Sequence, residues 1–177
     1  MPASRLVRPS AEFKESFLEA LREYHEESHY LFYDYNYVAG NFEKFINDLA
    51  TEKGTPHKEY QDWAEPVPET VLWLVKDGHY IGTVEIRHRL NWHLEKLGGN
   101  IHFTIRPSMR GRGFGKKILQ KALPYAANLG MDKALITVSP DNSAANRIVE
   151  FAGGKFEDET PETGRFPARY RYWIDCT

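Results

Sequence analysis

Apolar positions follow two rhythms along this chain, and the rhythm changes several times. Phe13, Phe17, Leu21 and Tyr24 recur at helical spacing behind Pro9 and Ser10. Ser10 suits the cap of such a helix, which is predicted from about Ala11 to Glu27. Phe42, Phe45, Ile46 and Leu49 make one apolar stripe and predict a second helix over Asn41 to Glu52. Between them, the aromatic and acidic stretch Tyr30 to Tyr37 follows neither rhythm. From Thr51 to Thr70 the chain is polar and carries Pro56, Pro66 and Pro68, which reads as a loop.

The period then shortens. Val71 to Lys76 is a strand, Asp77-Gly78 a turn, and His79 to Leu90 the second arm of a hairpin. In that arm Gly82, Val84, Ile86, His88 and Leu90 share one face, while Thr83, Glu85, Arg87 and Arg89 share the other, so Glu85 and His88 point opposite ways. After Gly98-Gly99 comes a strand over Asn100 to Arg106. From Phe114 the spacing is helical again, with Ile118, Leu119, Ala122, Leu123, Ala126 and Leu129 on one side and Gly130 placed to stop it. Ala134 to Val138 reads as a buried strand, Ser143 to Ala152 as a helix ending at Gly153-Gly154, and Arg169 to Asp175 as a last strand, with an extra strand near Lys155 to Glu159. The order βααβββαβαβ predicts an α/β chain with a mixed sheet.

At 177 residues, with 41% hydrophobic and 27% charged positions, one domain is expected. Folding would bury roughly 70% of the unfolded surface, so neither a disulfide nor a structural metal is needed. The single cysteine, Cys176, agrees and fits a reducing compartment. Lys and Arg number 23 against 25 Asp and Glu, a net charge of -2, which argues against a nucleic-acid partner. The longest apolar runs are short and the first residues, Met1 to Arg5, lack an apolar stretch. A cytoplasmic protein with no membrane partner is therefore expected.

Two motifs carry candidate chemistry. Arg110-Gly111-Arg112-Gly113-Phe114-Gly115-Lys116 lies between a strand and a helix, where close backbone approach and unpaired N–H groups suit a phosphate. A Walker loop would need Gly at 110 and Ser or Thr at 117, and the chain has Arg110 and Lys117. A Rossmann fingerprint would need Gly at 116 and meets Lys116. What fits is Arg-x-x-Gly-x-Gly. The second motif, His25-Glu26-Glu27-Ser28-His29, satisfies His-Glu-x-x-His, a zinc-protease spacing. Here no clear helix continues beyond it, so a zinc hydrolase built on His25 and His29 is a distant alternative and no metal is expected.

Ile101 to Asn146 resembles the core of the GNAT superfamily of acyl-CoA-dependent N-acetyltransferases: Ile105-Arg106-Pro107, the Arg-x-x-Gly-x-Gly loop, an amphipathic helix, a buried strand, then Asn142-x-x-Ala145, with Gly153-Gly154 closing the next helix. Arg87 to Asn91, Gly98 to Ile101 and Tyr172-Trp173-Ile174 also resemble an uncharacterised bacterial branch of predicted acetyltransferases. The likeness covers roughly Val71 to Asp175. It implies a mixed, mostly antiparallel central sheet flanked by helices and splayed between the fourth and fifth strands. It also implies one domain over 1–177, with 1–70 as a variable acceptor side and 71–175 as the cofactor core.

The same resemblance implies acetyl-CoA as cofactor and the amine of a small molecule or peptide as acceptor, with a homodimer allowed. Arg110, Gly111, Arg112, Gly113, Phe114, Gly115 and Lys116 would cradle the pyrophosphate. Phe103, Thr104 and Ile105 would meet the pantetheine arm along a strand edge, and a strand N–H near Phe103 or Thr104 would steady the oxyanion. Asn142 would hold the arm from the other side, with Ser143 or Asn146 as helpers. Candidate bases are Glu85, His102 and His88. Where many relatives carry a Tyr that protonates the thiolate, this chain has Val149, which makes an acyl-CoA-binding sensor the rival expectation. Glu26, Glu27, Tyr30, Tyr33 and Asp34, apart from the basic glycine loop, are expected to form an acidic, aromatic mouth for a cationic acceptor such as a polyamine, amino sugar or basic peptide end.

Overall fold

Antiparallel pairing of neighbouring strands builds two sheets that meet at one point. In the computed structural model, which describes residues 3–51 and 66–177, the elements run β1 (Arg5–Val7), α1 (Lys14–Glu26, led in by a 3-10 turn at Ala11–Phe13), α2 (Tyr35–Gly40), α3 (Phe42–Ala50), β2 (Glu69–Lys76), β3 (His79–Arg87), α4 (Trp92–Lys96), β4 (Ile101–Ile105), α5 (Phe114–Asn128), β5 (Lys133–Val138), α6 (Ser143–Phe151), β6 (Lys155–Thr160) and β7 (Arg169–Asp175). One sheet has the order β1-β2-β3-β4 and the other β5-β7-β6. The predicted mixed α/β architecture, splayed between fourth and fifth strands, is the one observed.

Alternation along β2, β3 and β4 divides the first sheet into two faces. Leu72, Leu74, Val84, Ile86 and Ile101 join Ile118, Leu119, Ala122 and Ala126 of α5 in the larger core. Trp73, Val75 and Tyr80 pack instead with Phe17, Leu21 and Tyr24 of α1 and Phe42, Phe45 and Ile46 of α3. Phe17 is central there, its ring stacked on Trp73 at 4.7 Å and meeting Tyr80 edge-on at 5.1 Å. Helices thus cover both faces, and both helical stripes read from the sequence are core.

Three details depart from the predicted elements. The long arm ends at Arg87, because its last partner is Glu69 and the preceding Pro68 has no N–H with which to extend the ladder; His88 donates its N–H to the Pro68 carbonyl instead. Asn91 then caps α4 through the Leu94 N–H, a helix too short to leave a periodic signal. In the stretch between the first two helices, Asp34 accepts the Tyr37 N–H and starts α2. Of the predicted loop from Thr51 to Thr70, residues 52–65 lie outside the described residues.

The junction of the sheets rests on Gly98, Gly99 and Asn100. Gly99 has φ +61, and a Cβ there would stand 2.3 Å from the Leu135 carbonyl oxygen, so only glycine permits the approach. The buried Asn100 then bonds both ways. Its N–H donates to Leu135 O at 2.8 Å and its Oδ1 accepts the Leu135 N–H at 2.9 Å, while Nδ2 donates to Arg87 O at 3.2 Å. Beyond this vertex the two sheets diverge.

Candidate functional site

Divergence of β4 from β5 opens a cleft of about 290 Å³. One wall is Ile136 to Ser139 of β5 and the turn after it, with Asn142 and Ala145 of α6; the other is Ile101, His102 and Phe103 of β4 with Glu85 and Arg87 of β3. His29, Tyr30 and Phe32, from the segment between α1 and α2, cover one end. Arg106 donates its N–H to Ile81 O, and ladder alternation therefore turns the main-chain groups of Phe103 and Ile105 toward the gap and those of Thr104 toward β3. Of the two strand N–H groups read as oxyanion donors, the geometry favours Phe103. The Thr104 side chain instead lies beside Thr83 on the α1 side.

The floor holds an ionic group. Glu85 and His102 are cross-strand neighbours, with His102 Nδ1 3.8 Å from Glu85 Oε2. Arg87 donates from NH2 to the same Oε2 at 3.1 Å, from Nε to Glu69 at 3.4 Å, and from NH1 to the carbonyls of Gly98 and Gly99. Glu85 is therefore a buried, neutralised anion, whereas the His102 side chain keeps 43% of its exposure. His88, the third candidate base, is not brought to the cleft. It lies past the end of β3, and its Nε2 is 2.7 Å from Thr70 Oγ1.

Arg110, Gly111, Arg112 and Gly113 are exposed ahead of α5. Gly111 and Gly113 have φ +77 and +84, and no atom stands within 4 Å of a Cβ built on either. No side chain caps α5 and its first turn holds no acidic residue. Phe114 and Gly115 are buried, Gly115 against Ile148 of α6, while Lys116 and Lys117 are exposed with their ammonium groups over Phe151 and Phe114. Asn142 lines the cleft, and its Oδ1 caps α6 through the Ala145 N–H. Ser143 is exposed. Asn146 is fully engaged elsewhere: Nδ2 donates to Ser139 O and Asn142 O, and Oδ1 accepts the Tyr172 hydroxyl at 2.6 Å.

The expected separation of acidic mouth from basic loop is absent. Glu27 holds Arg110 in a bidentate pair at 2.8 and 2.9 Å, Asp34 is spent on the α2 cap, and Glu26 is exposed and does not line the cleft. Further back Glu23 pairs with the buried Arg106 and accepts the Ser108 N–H; burial works upward on its carboxyl, but those hydrogen bonds outweigh it and hold it below its ordinary value. Tyr30 lines the cleft; Tyr33 does not and stacks behind it, the rings 5.5 Å apart. Burial, then the nearby Glu85 charge, pushes both hydroxyls up, so both stay protonated. His25 and His29 do not share a helical face, because α1 ends at Glu26. His25 Nε2 meets Tyr30 O at 3.0 Å and the His29 ring lies 4.3 Å from that of Tyr30; among the described residues no group of three His, Cys, Asp or Glu is placed to hold a metal.

Sequence reasoning missed Phe32, Thr137, Ser139 and Arg169 of the cleft wall. No motif marks them, since they are gathered by the pairing of β5 with β7 and by the path of the segment after α1. Val149 proves to be fully buried core. A Cβ on Gly154 would already come within 2.5 Å of its Cγ1, so the space a tyrosine would need is filled.

A family model described as the acetyltransferase (GNAT) family matches residues 6–153. The match begins well ahead of Val71, so the likeness reaches into the segment that the residue-level resemblance leaves out. A mycothiol acetyltransferase of Corynebacterium aurimucosum is 29% identical over 102 residues, which is 55% of this chain and 34% of that protein; the chain spans about a third of that relative's length. Among solved structures, the microcin C7 self-immunity acetyltransferase MccE, in complex with acetyl-CoA and AMP, superposes with a TM-score of 0.68 at 14% identity over 97% of this chain and 92% of its own. A spermidine N-acetyltransferase SpeG chimera from Vibrio cholerae and hSSAT gives 0.62 at 17% identity over 99% and 96%. At these identities the solved structures share the fold. No helix among the described residues is long and apolar enough to cross a membrane.

Proposed function

Because the chain belongs to the acetyltransferase (GNAT) family, whose model matches residues 6–153, we propose that it moves an acetyl group from acetyl-CoA to a primary amine of a small molecule or peptide. The observation that carries this reading is the gap between β4 and β5, pinned shut at Asn100, with the glycine loop ahead of α5 and a titratable pair on its floor.

The residues fit the cofactor. Open space stands where a Gly113 side chain would be, in front of uncapped N–H groups at the positive end of a 15-residue helix, and a pyrophosphate suits that place. Arg112, Lys116 and Lys117 add positive charge. Phe103 and Ile105 offer main-chain groups to the amides of the pantetheine arm, as an edge strand does to a peptide, and Asn142 stands across the cleft from them. Bound acetyl-CoA supplies the acetyl group as a thioester, open to direct attack without a covalent enzyme intermediate.

His102 is the base in this reading. Its imidazole is accessible in the cleft, whereas Glu85 is tied to Arg87 and serves better to orient His102 and stabilise the imidazolium it forms. The Phe103 N–H is the oxyanion donor. On the acceptor side His29, Tyr30 and Phe32 line the cleft, and the rings of Tyr30 and Phe32 favour a cationic amine by cation–π attraction of about 0.5–2 kcal/mol. A polyamine, amino sugar or basic peptide end is the class of acceptor that follows, with 1–70 as the acceptor side of a single domain.

The test is thiol release from acetyl-CoA with a panel of such amines, run on the wild type and on His102→Gln. We expect turnover with at least one amine and a loss of about 100-fold or more in His102→Gln, with the affinity for CoA kept. Tight CoA binding without turnover of any amine would instead favour the sensor.

A further inference from the structure

The cleft raises a question of proton supply. The sulfur of a departing CoA needs a proton, Val149 is core, and among the described residues Tyr30 is the phenol that lines the cleft. On the reading that the cleft takes an acyl thioester, we propose that Tyr30 gives its phenolic proton to the sulfur as the C–S bond breaks, and that a file of hydroxyls behind it turns its O–H into the cleft.

The file runs through the second core. Tyr30 Oη is 3.0 Å from Thr104 Oγ1, Tyr24 donates to the same Oγ1 at 3.4 Å, Tyr24 and Tyr80 hydroxyls are 3.2 Å apart, and Tyr80 is 2.5 Å from Thr83 Oγ1. One assignment of protons serves all four bonds. Tyr24 gives its proton to Thr104, so the Tyr24–Tyr80 bond takes its proton from Tyr80, and the Tyr80–Thr83 bond takes its proton from Thr83. Thr104 then has its own proton to give to Tyr30. The file starts at Thr83, each later hydroxyl takes one proton, and the single proton left over in this arrangement is that of Tyr30. Such a chain polarises every bond in it, making the last O–H a better donor.

Tyr30 is also held more firmly than packing requires. Its φ of +55 lies in the left-handed region, which an aromatic residue rarely adopts and which costs free energy. The conformation is kept by the His25 Nε2–H donating to its carbonyl, by the His29 ring, and by an edge contact with Tyr24 at 4.9 Å. The zinc-like His-Glu-x-x-His spacing is thus accounted for: both imidazoles position one tyrosine. Burial, then the Glu85 charge, pushes the Tyr30 phenol up, so it keeps its proton until the sulfur takes on negative charge. The balance closes without a further reactant. As the N–C bond forms and the C–S bond breaks, the amine's proton goes to His102, Tyr30's goes to sulfur, and the proton on His102 returns to the phenolate when thiol leaves.

The test compares wild type, Tyr30→Phe and Tyr24→Phe in two ways. Calorimetry of CoA and of its S-methyl ether at about pH 7 and about pH 9 reads the thiolate alone, because the ether cancels the contributions of Glu85, Arg87, His29, His102 and Arg169 around the cleft. In the wild type CoA should gain about tenfold over the ether at the higher pH, the worth of a hydrogen bond to a charged group. Tyr30→Phe should lose that gain and Tyr24→Phe part of it. With the best amine of the panel, kcat from acetyl-CoA should fall about tenfold or more in Tyr30→Phe. With S-acetyl-4-nitrothiophenol, whose thiolate leaves without a proton, the loss in Tyr30→Phe should be much smaller than with acetyl-CoA, and thermal unfolding reports that the variant is folded. An unchanged CoA preference in Tyr30→Phe overturns the proposal, and an unchanged Tyr24→Phe overturns the file. If the wild type turns over no amine the transferase reading falls, while the binding arm still decides whether Tyr30 meets the sulfur.

Discussion

Replacing Asn100 by Ala removes a side chain that bonds to both sheets, and its cost follows from three contacts. In the wild type the buried Asn100 takes the Leu135 N–H and gives to Arg87 O. The variant keeps the main-chain bond from its own N–H to Leu135 O, so the sheets still touch. It leaves one donor and one acceptor buried without their partner, at about 1–3 kcal/mol each. A loss of about 2–6 kcal/mol is expected, or roughly 4–24 °C in Tm for a chain of this size. Urea and thermal unfolding measure it, with the exposed Asn36→Ala as a control expected within about 0.5 kcal/mol of wild type. CoA calorimetry on the same variant should show weaker binding, because the vertex sets the angle at which the Phe103 and Asn142 walls face each other. A Tm within about 2 °C of wild type would refute the claim that this residue holds the sheets in their splayed arrangement.

Val149→Tyr is expected to lose about 1–3 kcal/mol from overpacking and to gain no turnover, since Val149 is enclosed; an unchanged Tm with raised kcat would show that the position opens to the cleft. Glu23→Gln should destabilise by about 1.5–3 kcal/mol near neutral pH, as it removes the nearest countercharge of the buried Arg106, which keeps Glu19 at 3.8 Å and its bonds to Ser16 and Tyr80 O. The wild-type Glu23 carboxyl is held below its ordinary value of 4.5, so its contribution is complete above that value and fades as pH falls through the lower one. Stability curves of the two proteins should converge in acid; a constant difference down to low pH would contradict the pairing.

How much of this was legible beforehand depended on whether the signal was local. Phe13, Phe17, Leu21 and Tyr24, or Ile118, Leu119, Ala122 and Ala126, announce a buried face by spacing alone, and both faces are core. The glycine loop is likewise local, and Gly111 and Gly113 have the positive φ that its composition requires. Glu85 and His102 were readable as titratable residues, but their juxtaposition comes from the register of β3 on β4, which no single-strand pattern encodes. The acidic mouth failed for a related reason. Glu23 and Glu27 lie more than 80 residues from Arg106 and Arg110 in sequence, and only the packing of α1 against the end of β4 turns two opposite patches into ion pairs. His88 was misplaced because proline at 68 ends the ladder one residue before it.

Titration of CoA into the wild type and Gly113→Glu tests the central claim most directly. The added carboxylate would occupy the open space ahead of α5, where it repels a pyrophosphate, and the exposed loop lets the fold persist. The account predicts at least about a tenfold loss of affinity, or 1.4 kcal/mol, with a fall of a few degrees in Tm from the side chain held at φ +84. Equal affinity in the two proteins would contradict it, since CoA would then be bound somewhere other than the glycine loop.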